Sequence, residues 1–162
     1  MWLPDSNILL RNMDENSPIH AIAVSALDTL LARGERIALV PQVLYEFWSV
    51  ATRPASARGG LGLSLAEAEA EIHRLLGIFP LYADTPAIFP RWFALVTTVG
   101  VSGINVHDTR LVAAMHEHGF THLLTFDGDH FARLSQYHCR NSRYSLASNL
   151  DMVEQMLLQK AA

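Results

Sequence analysis

Apolar positions recur along this chain in two rhythms. Short runs of β-branched and large apolar residues, "WLP" at 2–4, "RIALV" at 36–40 and "THLLTF" at 121–126, read as strands. Longer stretches repeat apolar residues every three to four positions and read as helices. "SPIHAIAVSALDTLLARG" predicts a helix from a Ser17 cap, with Pro18 at its first position, to a stop at Gly34. "QVLYEFWSVATR" predicts a second helix ended by Pro54, and "PASARGGLGL" is a loop by composition. "SLAEAEAEIHRLLGIF" opens with Ser64 and Glu67 at capping-box spacing. "LYA" reads as a short strand, and "TPAIFPRWFALVTTVG" as a helix interrupted at Pro90. "VHDTRLVAAMHEHG" predicts a helix stopped by Gly119, and "FARL" one further turn. In "LDMVEQMLLQ", Met152, Val153, Met156 and Leu157 share one face of a terminal helix.

Strands alternating with helices predict an α/β fold, a three-layer α/β/α sandwich around a mainly parallel sheet. Sites in such sheets form outside the carboxyl ends of the strands. Asp5 follows the first strand and Asp127 the last. Glu46 lies in the early turns of the helix that leaves the second strand. Asp108 opens the helix that leads back into the last strand, so its start is expected at the same edge. Four acids from four segments are therefore predicted to converge there. Each has a plain alternative: Asp5 caps a helix from Ser6, Asp108 complements a helix dipole, and Asp127 and Asp129 serve a turn and a cap. Glu46 is harder to dismiss, because it is the one charge within "VLYEFWSV" and burial without a partner would be expensive; Arg53 is a candidate partner.

Carboxylates crowded together repel unless cations hold them ionised. Hard oxygen ligands without thiolates suit Mg²⁺ or Mn²⁺, which bind substrate phosphates and activate water for in-line attack on a phosphodiester. The remaining composition narrows the setting. At 162 residues, half of them hydrophobic, the chain fits one domain with a real core. It shows no signal-peptide pattern or apolar run long enough to span a bilayer, so a cytoplasmic protein with no membrane role is expected. The lone Cys139 excludes an internal disulfide and a multi-thiolate zinc site. A net charge of −4 does not favour nucleic acid, yet eleven arginines against one lysine, Lys160, are compatible with phosphate contacts.

"DSNILL", "LYEFWSVATRP", "NVHDTRLVAAMHEHG" and "LLTFDGDHF", in this order, resemble a PIN domain of the VapC-type toxins of bacterial toxin–antitoxin pairs. The resemblance spans residues 1–135, leaving 136–162 as a C-terminal extension whose terminal helix is expected to pack on the same domain. It implies a Mg²⁺- or Mn²⁺-dependent endoribonuclease, usually dimeric, that cuts transfer or other structured RNA and is silenced by a small antitoxin protein. The family's four acids fall on Asp5, Glu46, Asp108 and Asp127, with Asp129 as an additional metal ligand. Asn7 and Thr125 correspond to polar residues that orient carboxylates or waters, and His107 neighbours Asp108 as in some members or is a structural helix-end histidine. Arg53, Arg58 and Arg110 are candidate RNA contacts; the loop carrying the first two reads equally as a solvated connection.

Other classes fit less well. Aspartyl-phosphate proteins use a lysine near the phosphoryl group, and Lys160 is at the wrong end of the chain. His116, His118 and His122 lack H-E-x-x-H spacing, and residues two apart do not share a helix face. No G-x-S-x-G elbow is present. A non-toxin nuclease or a non-catalytic RNA- or protein-binding member of the same family stays open as the alternative.

Overall fold

A computed structural model describes residues 1–136 of the chain. The terminal helix expected at 150–159 lies outside the described residues. The elements run β1 (Trp2–Pro4), α1 (Ser6–Met13), α2 (His20–Ala32), α3 (Pro41–Ala51), α4 (Leu65–Ile78), α5 (Ile88–Val99), a 3-10 turn (Gly103–Asn105), α6 (Val106–His118), β2 (His122–Leu124) and α7 (Gly128–Gln136). The α/β class predicted from the alternation is the one found, and the strands are short. The chain divides into two compact units, Pro4–Tyr82 and Met1–Leu3 with the segment from Ala83 onward.

In the Pro4–Tyr82 unit, α1 packs on α2 and α3, and α3 touches α4. Ile8, Leu9, Ala23, Leu27, Leu30, Val43, Phe47 and Leu75 form its buried interior. The predicted α2 begins at His20 rather than at Pro18, because Ser17 to Ile19 make a turn in which the Ser17 hydroxyl accepts from the Ile19 amide. Where the predicted strands "RIALV" and "LYA" meet, they form a parallel bridge between Leu39 and Leu81. Leu39 donates to the Pro80 carbonyl and accepts from Tyr82, so the two segments do pair, but over one residue only. The capping box is present as predicted: the Ser64 hydroxyl accepts from the Glu67 amide, and the Glu67 carboxylate accepts from the Ser64 amide. The loop after α3 folds back on that helix, with Leu61 and Leu63 donating to the Val50 and Ala51 carbonyls. Gly60 is required there, since a Cβ would run into the Pro54 and Arg53 carbonyl oxygens.

In the other unit, β1 pairs with β2, and α6 packs against α5 and α7. Leu3, Leu111, Ala113, Ala114, Phe120, Leu123, Leu124 and Phe131 fill the interior. Trp2 stacks on His122 with ring centroids 4.3 Å apart. α6 ends at Gly119, whose φ of 71° is a left-handed conformation that a residue with a Cβ adopts only with strain. The predicted interruption at Pro90 does not occur. Pro90 is the third residue of α5, within the first turn, where a missing N–H leaves no helical hydrogen bond unmade.

Candidate active site

Asp5 stands between β1 and α1. Its backbone has the extended geometry of an N-cap, yet its side chain makes no capping hydrogen bond. The capping alternative therefore does not account for this carboxylate, which is 92% buried as judged by its 8% exposure. Ser6, the first residue of α1, brings its hydroxyl to 3.2 Å from Asp5 Oδ1 and 3.0 Å from Glu46 Oε2. Glu46 is half-buried in α3. Its other oxygen accepts from Gln42 Nε2 at 2.8 Å, one helical turn earlier. The expected partner Arg53 instead donates to the Arg58 carbonyl at 3.2 Å, closing the loop on itself. One hydroxyl carries one hydrogen, so Ser6 can donate to only one of the two carboxylates that flank it. Two carboxylates this close repel each other, and a cation beside them would offset that repulsion.

In the unit that contains α6, Asp108 lies in that helix's first turn. His130 Nδ1 is 3.8 Å from Asp108 Oδ2. Both residues, together with Asp129, Ser102 and Asn105, line a cavity of about 380 Å³ whose apolar wall is Val99, Val101 and Leu134. Asp127 is exposed, directly before α7. Its backbone N–H donates to the buried Thr125 hydroxyl at 3.0 Å, which fixes the turn that leads into α7. Thr125 thus acts on the backbone beside an acid. Asn7 is partly exposed in the first turn of α1, and His107 is exposed at the start of α6. Arg110 donates to Asp84 at 2.7 Å. Arg53 and Arg58 are exposed on the loop.

The structure therefore brings Asp5 and Glu46 together around Ser6, and Asp108 and Asp129 together around one cavity. Three participants were missed in the sequence. Ser6 sits beside Asp5, Gln42 is four residues before Glu46, and His130 follows Asp129; only the i, i+4 spacing of Gln42 was a readable signal. Among the described residues, no group of three His, Cys, Asp or Glu side chains is close enough to hold a metal ion. Mg²⁺ commonly takes only one or two carboxylates, with water and substrate phosphate filling the rest of its shell. Two carboxylates flanking one hydroxyl fit that requirement.

The match to known proteins is at the level of a family. The PIN domain family model covers residues 2–136, and the chain belongs to that family. Among solved structures, it is similar to VapC20 of Mycobacterium tuberculosis, a sarcin-ricin loop cleaving toxin, at 19% identity and a TM-score of 0.60, covering 82% of this chain and 94% of that one. It is also similar to VapBC2 from Rickettsia felis, bound to a DNA fragment from their promoter, at 15% identity and a TM-score of 0.59, covering 82% and 91%. These likenesses establish the PIN fold. No curated protein matches the chain. No described helix is long and apolar enough to cross a membrane.

Proposed function

We propose that this PIN-domain protein is a Mg²⁺- or Mn²⁺-dependent endoribonuclease, the toxin of a toxin–antitoxin pair. Asp5, Glu46, Asp108 and Asp127 are its cation-binding and catalytic acids, and Asp129 is a further ligand. The observation that carries the reading is Asp5, whose buried carboxylate is not used as a helix cap and instead shares the Ser6 hydroxyl with Glu46. A divalent cation at these acids would supply an activated water and offset the charge that builds on the leaving oxygen. The chain's own part is to hold the acids: Ser6 and Gln42 steer Glu46, while Thr125 sets the turn at Asp127. Asn7 and His107 remain candidates for orienting water or carboxylate.

The cavity beside Asp108 suits a nucleotide flanking the scissile phosphate. It offers an apolar wall, the imidazole of His130 and the side chains of Ser102 and Asn105. Arg53 and Arg58, exposed on the loop, are available to RNA phosphates, whereas Arg110 would have to leave Asp84. The expected partners are a structured or transfer RNA, a small antitoxin protein and a second copy of the chain in the cytoplasm. Phe89 and Phe93, 66% and 55% exposed and stacked at 6.2 Å, are apolar surface that a protein partner would cover.

The test is cleavage of total RNA by the purified chain in Mn²⁺, in Mg²⁺ and in EDTA, with sequencing of the ends produced. The proposal expects discrete internal cuts that need the cation, and growth arrest on expression that a small neighbouring gene relieves. Cutting that persists undiminished in EDTA would overturn the metal assignment, and an intact RNA pool under all three conditions would overturn the nuclease reading.

A further inference from the structure

We infer that Gln42 is a positioning residue for the cleavage reaction: its side-chain amide holds one oxygen of Glu46 so that the other is presented beside Asp5. The inference rests on the reading of Asp5 and Glu46 as cation ligands.

Gln42 is 6% exposed, one of four buried polar or charged residues among those described, with Asp5, Thr109 and Thr125. A buried amide is tolerated only when hydrogen-bonded, and an apolar residue of its size would suit a helix interior better. Its place therefore calls for a reason. Gln42 is the second residue of α3, directly after Pro41, and lies one turn before Glu46 on the same face. Its Nε2 is 2.8 Å from Glu46 Oε1. A carboxylate only accepts, so the NH₂ end of the amide must face it, and the bond is charge-assisted.

The second oxygen, Oε2, is 3.0 Å from Ser6 Oγ, which is in turn 3.2 Å from Asp5 Oδ1. With both oxygens engaged, the carboxylate plane is set before any ion arrives. A glutamate left free would lose rotamer freedom on binding the ion; here the loss is taken on folding, when Gln42 is buried. Groups that orient a metal ligand through a hydrogen bond typically change metal affinity by about 10- to 100-fold when removed.

The experiment is calorimetric titration of the full chain with Mn²⁺, alongside RNA cleavage as a function of Mn²⁺. Gln42→Met keeps the volume and removes the amide. Gln42→Asn keeps an amide but is one methylene too short for the contact, and it guards against a folding defect in the first variant. Both are expected to weaken Mn²⁺ binding about 10- to 100-fold, with raised Mn²⁺ recovering cleavage. In a Glu46→Gln background, Gln42→Met should add no further loss of Mn²⁺ affinity, because the carboxylate that Gln42 positions is already gone. Wild-type affinity in both single variants, or a full additional loss in the Glu46→Gln background, would overturn the role of Gln42. A wild-type chain that binds no Mn²⁺ would instead overturn the cation reading of the acids, and this role with it.

Discussion

Replacing Glu46 by Gln should stabilise the protein when no divalent cation is present. The two contacts through Ser6 leave Asp5 Oδ1 and Glu46 Oε2 at most about 6 Å apart, a like-charge separation worth roughly 0.7 kcal/mol in water and about 3 kcal/mol at the effective dielectric of a protein surface. Asp5 is buried and Glu46 half-buried, so an intermediate value of about 1–2 kcal/mol is expected. The substitution also resolves the hydrogen-bond conflict. The new amide can donate to Ser6 Oγ, releasing the single hydroxyl hydrogen to Asp5, while its oxygen still accepts from Gln42. For a chain of this size the gain corresponds to a rise in Tm of roughly 3–6 °C. Scanning calorimetry in EDTA at low salt reads it directly. Adding Mn²⁺ should then raise the Tm of the wild type and leave the variant unmoved. An unchanged or lowered Tm for Glu46→Gln in EDTA would mean that repulsion between the two carboxylates does not destabilise the fold.

Three further outcomes follow from particular contacts. Phe47, fully buried in α3 beside Glu46, should cost about 3–5 kcal/mol as Phe47→Ala in urea unfolding, and a loss under about 1 kcal/mol would mean that the site closes without a cavity. The Glu117 carboxylate is held below its ordinary value of 4.5 first by the Thr85 hydroxyl and then by Arg91. Its contribution to stability is thus present above that ordinary value and is lost as pH falls through the depressed one, so the stability gap between wild type and Glu117→Gln should close on acidification, and a gap that widens would contradict the assignment. Ser102→Ala and Asn105→Ala should alter which nucleotide is found at the cut ends while leaving cation affinity in place, and an unchanged end sequence would remove the cavity from RNA recognition.

What was readable in the sequence was local chemistry. The Ser64–Glu67 box and the Gly119 stop are decided by residues within a turn of each other, and both form as expected. Pro90 does not break α5 because its effect depends on where the helix begins, and that is three residues later than the apolar pattern suggests. "RIALV" has strand composition but meets "LYA" at one residue, because pairing depends on how far a partner runs alongside it, and the partner at Leu81 is brief. The same contrast holds at the site. Asp5, Asp108 and Asp127 stand out as charges near element ends, Glu46 as the one charge in an apolar helix stretch, and Thr125 as a hydroxyl near Asp127. The partners of Glu46 do not: the nearest charge in sequence, Arg53, turns to its own loop, while Ser6 arrives from another helix. Beyond its spacing from Glu46, nothing in the sequence sets Gln42 apart from other polar residues, whereas its burial in the fold does.

The proposed function assigns both Asp5 and Asp108 to cation binding. Calorimetric Mn²⁺ titration of the wild type, Asp5→Asn and Asp108→Asn tests it most directly, with folding verified by the Tm of each variant in EDTA. The wild type should bind one or two Mn²⁺, and either variant should lose both Mn²⁺ binding and RNA cleavage. Undiminished Mn²⁺ binding and cutting in Asp5→Asn or Asp108→Asn would contradict it.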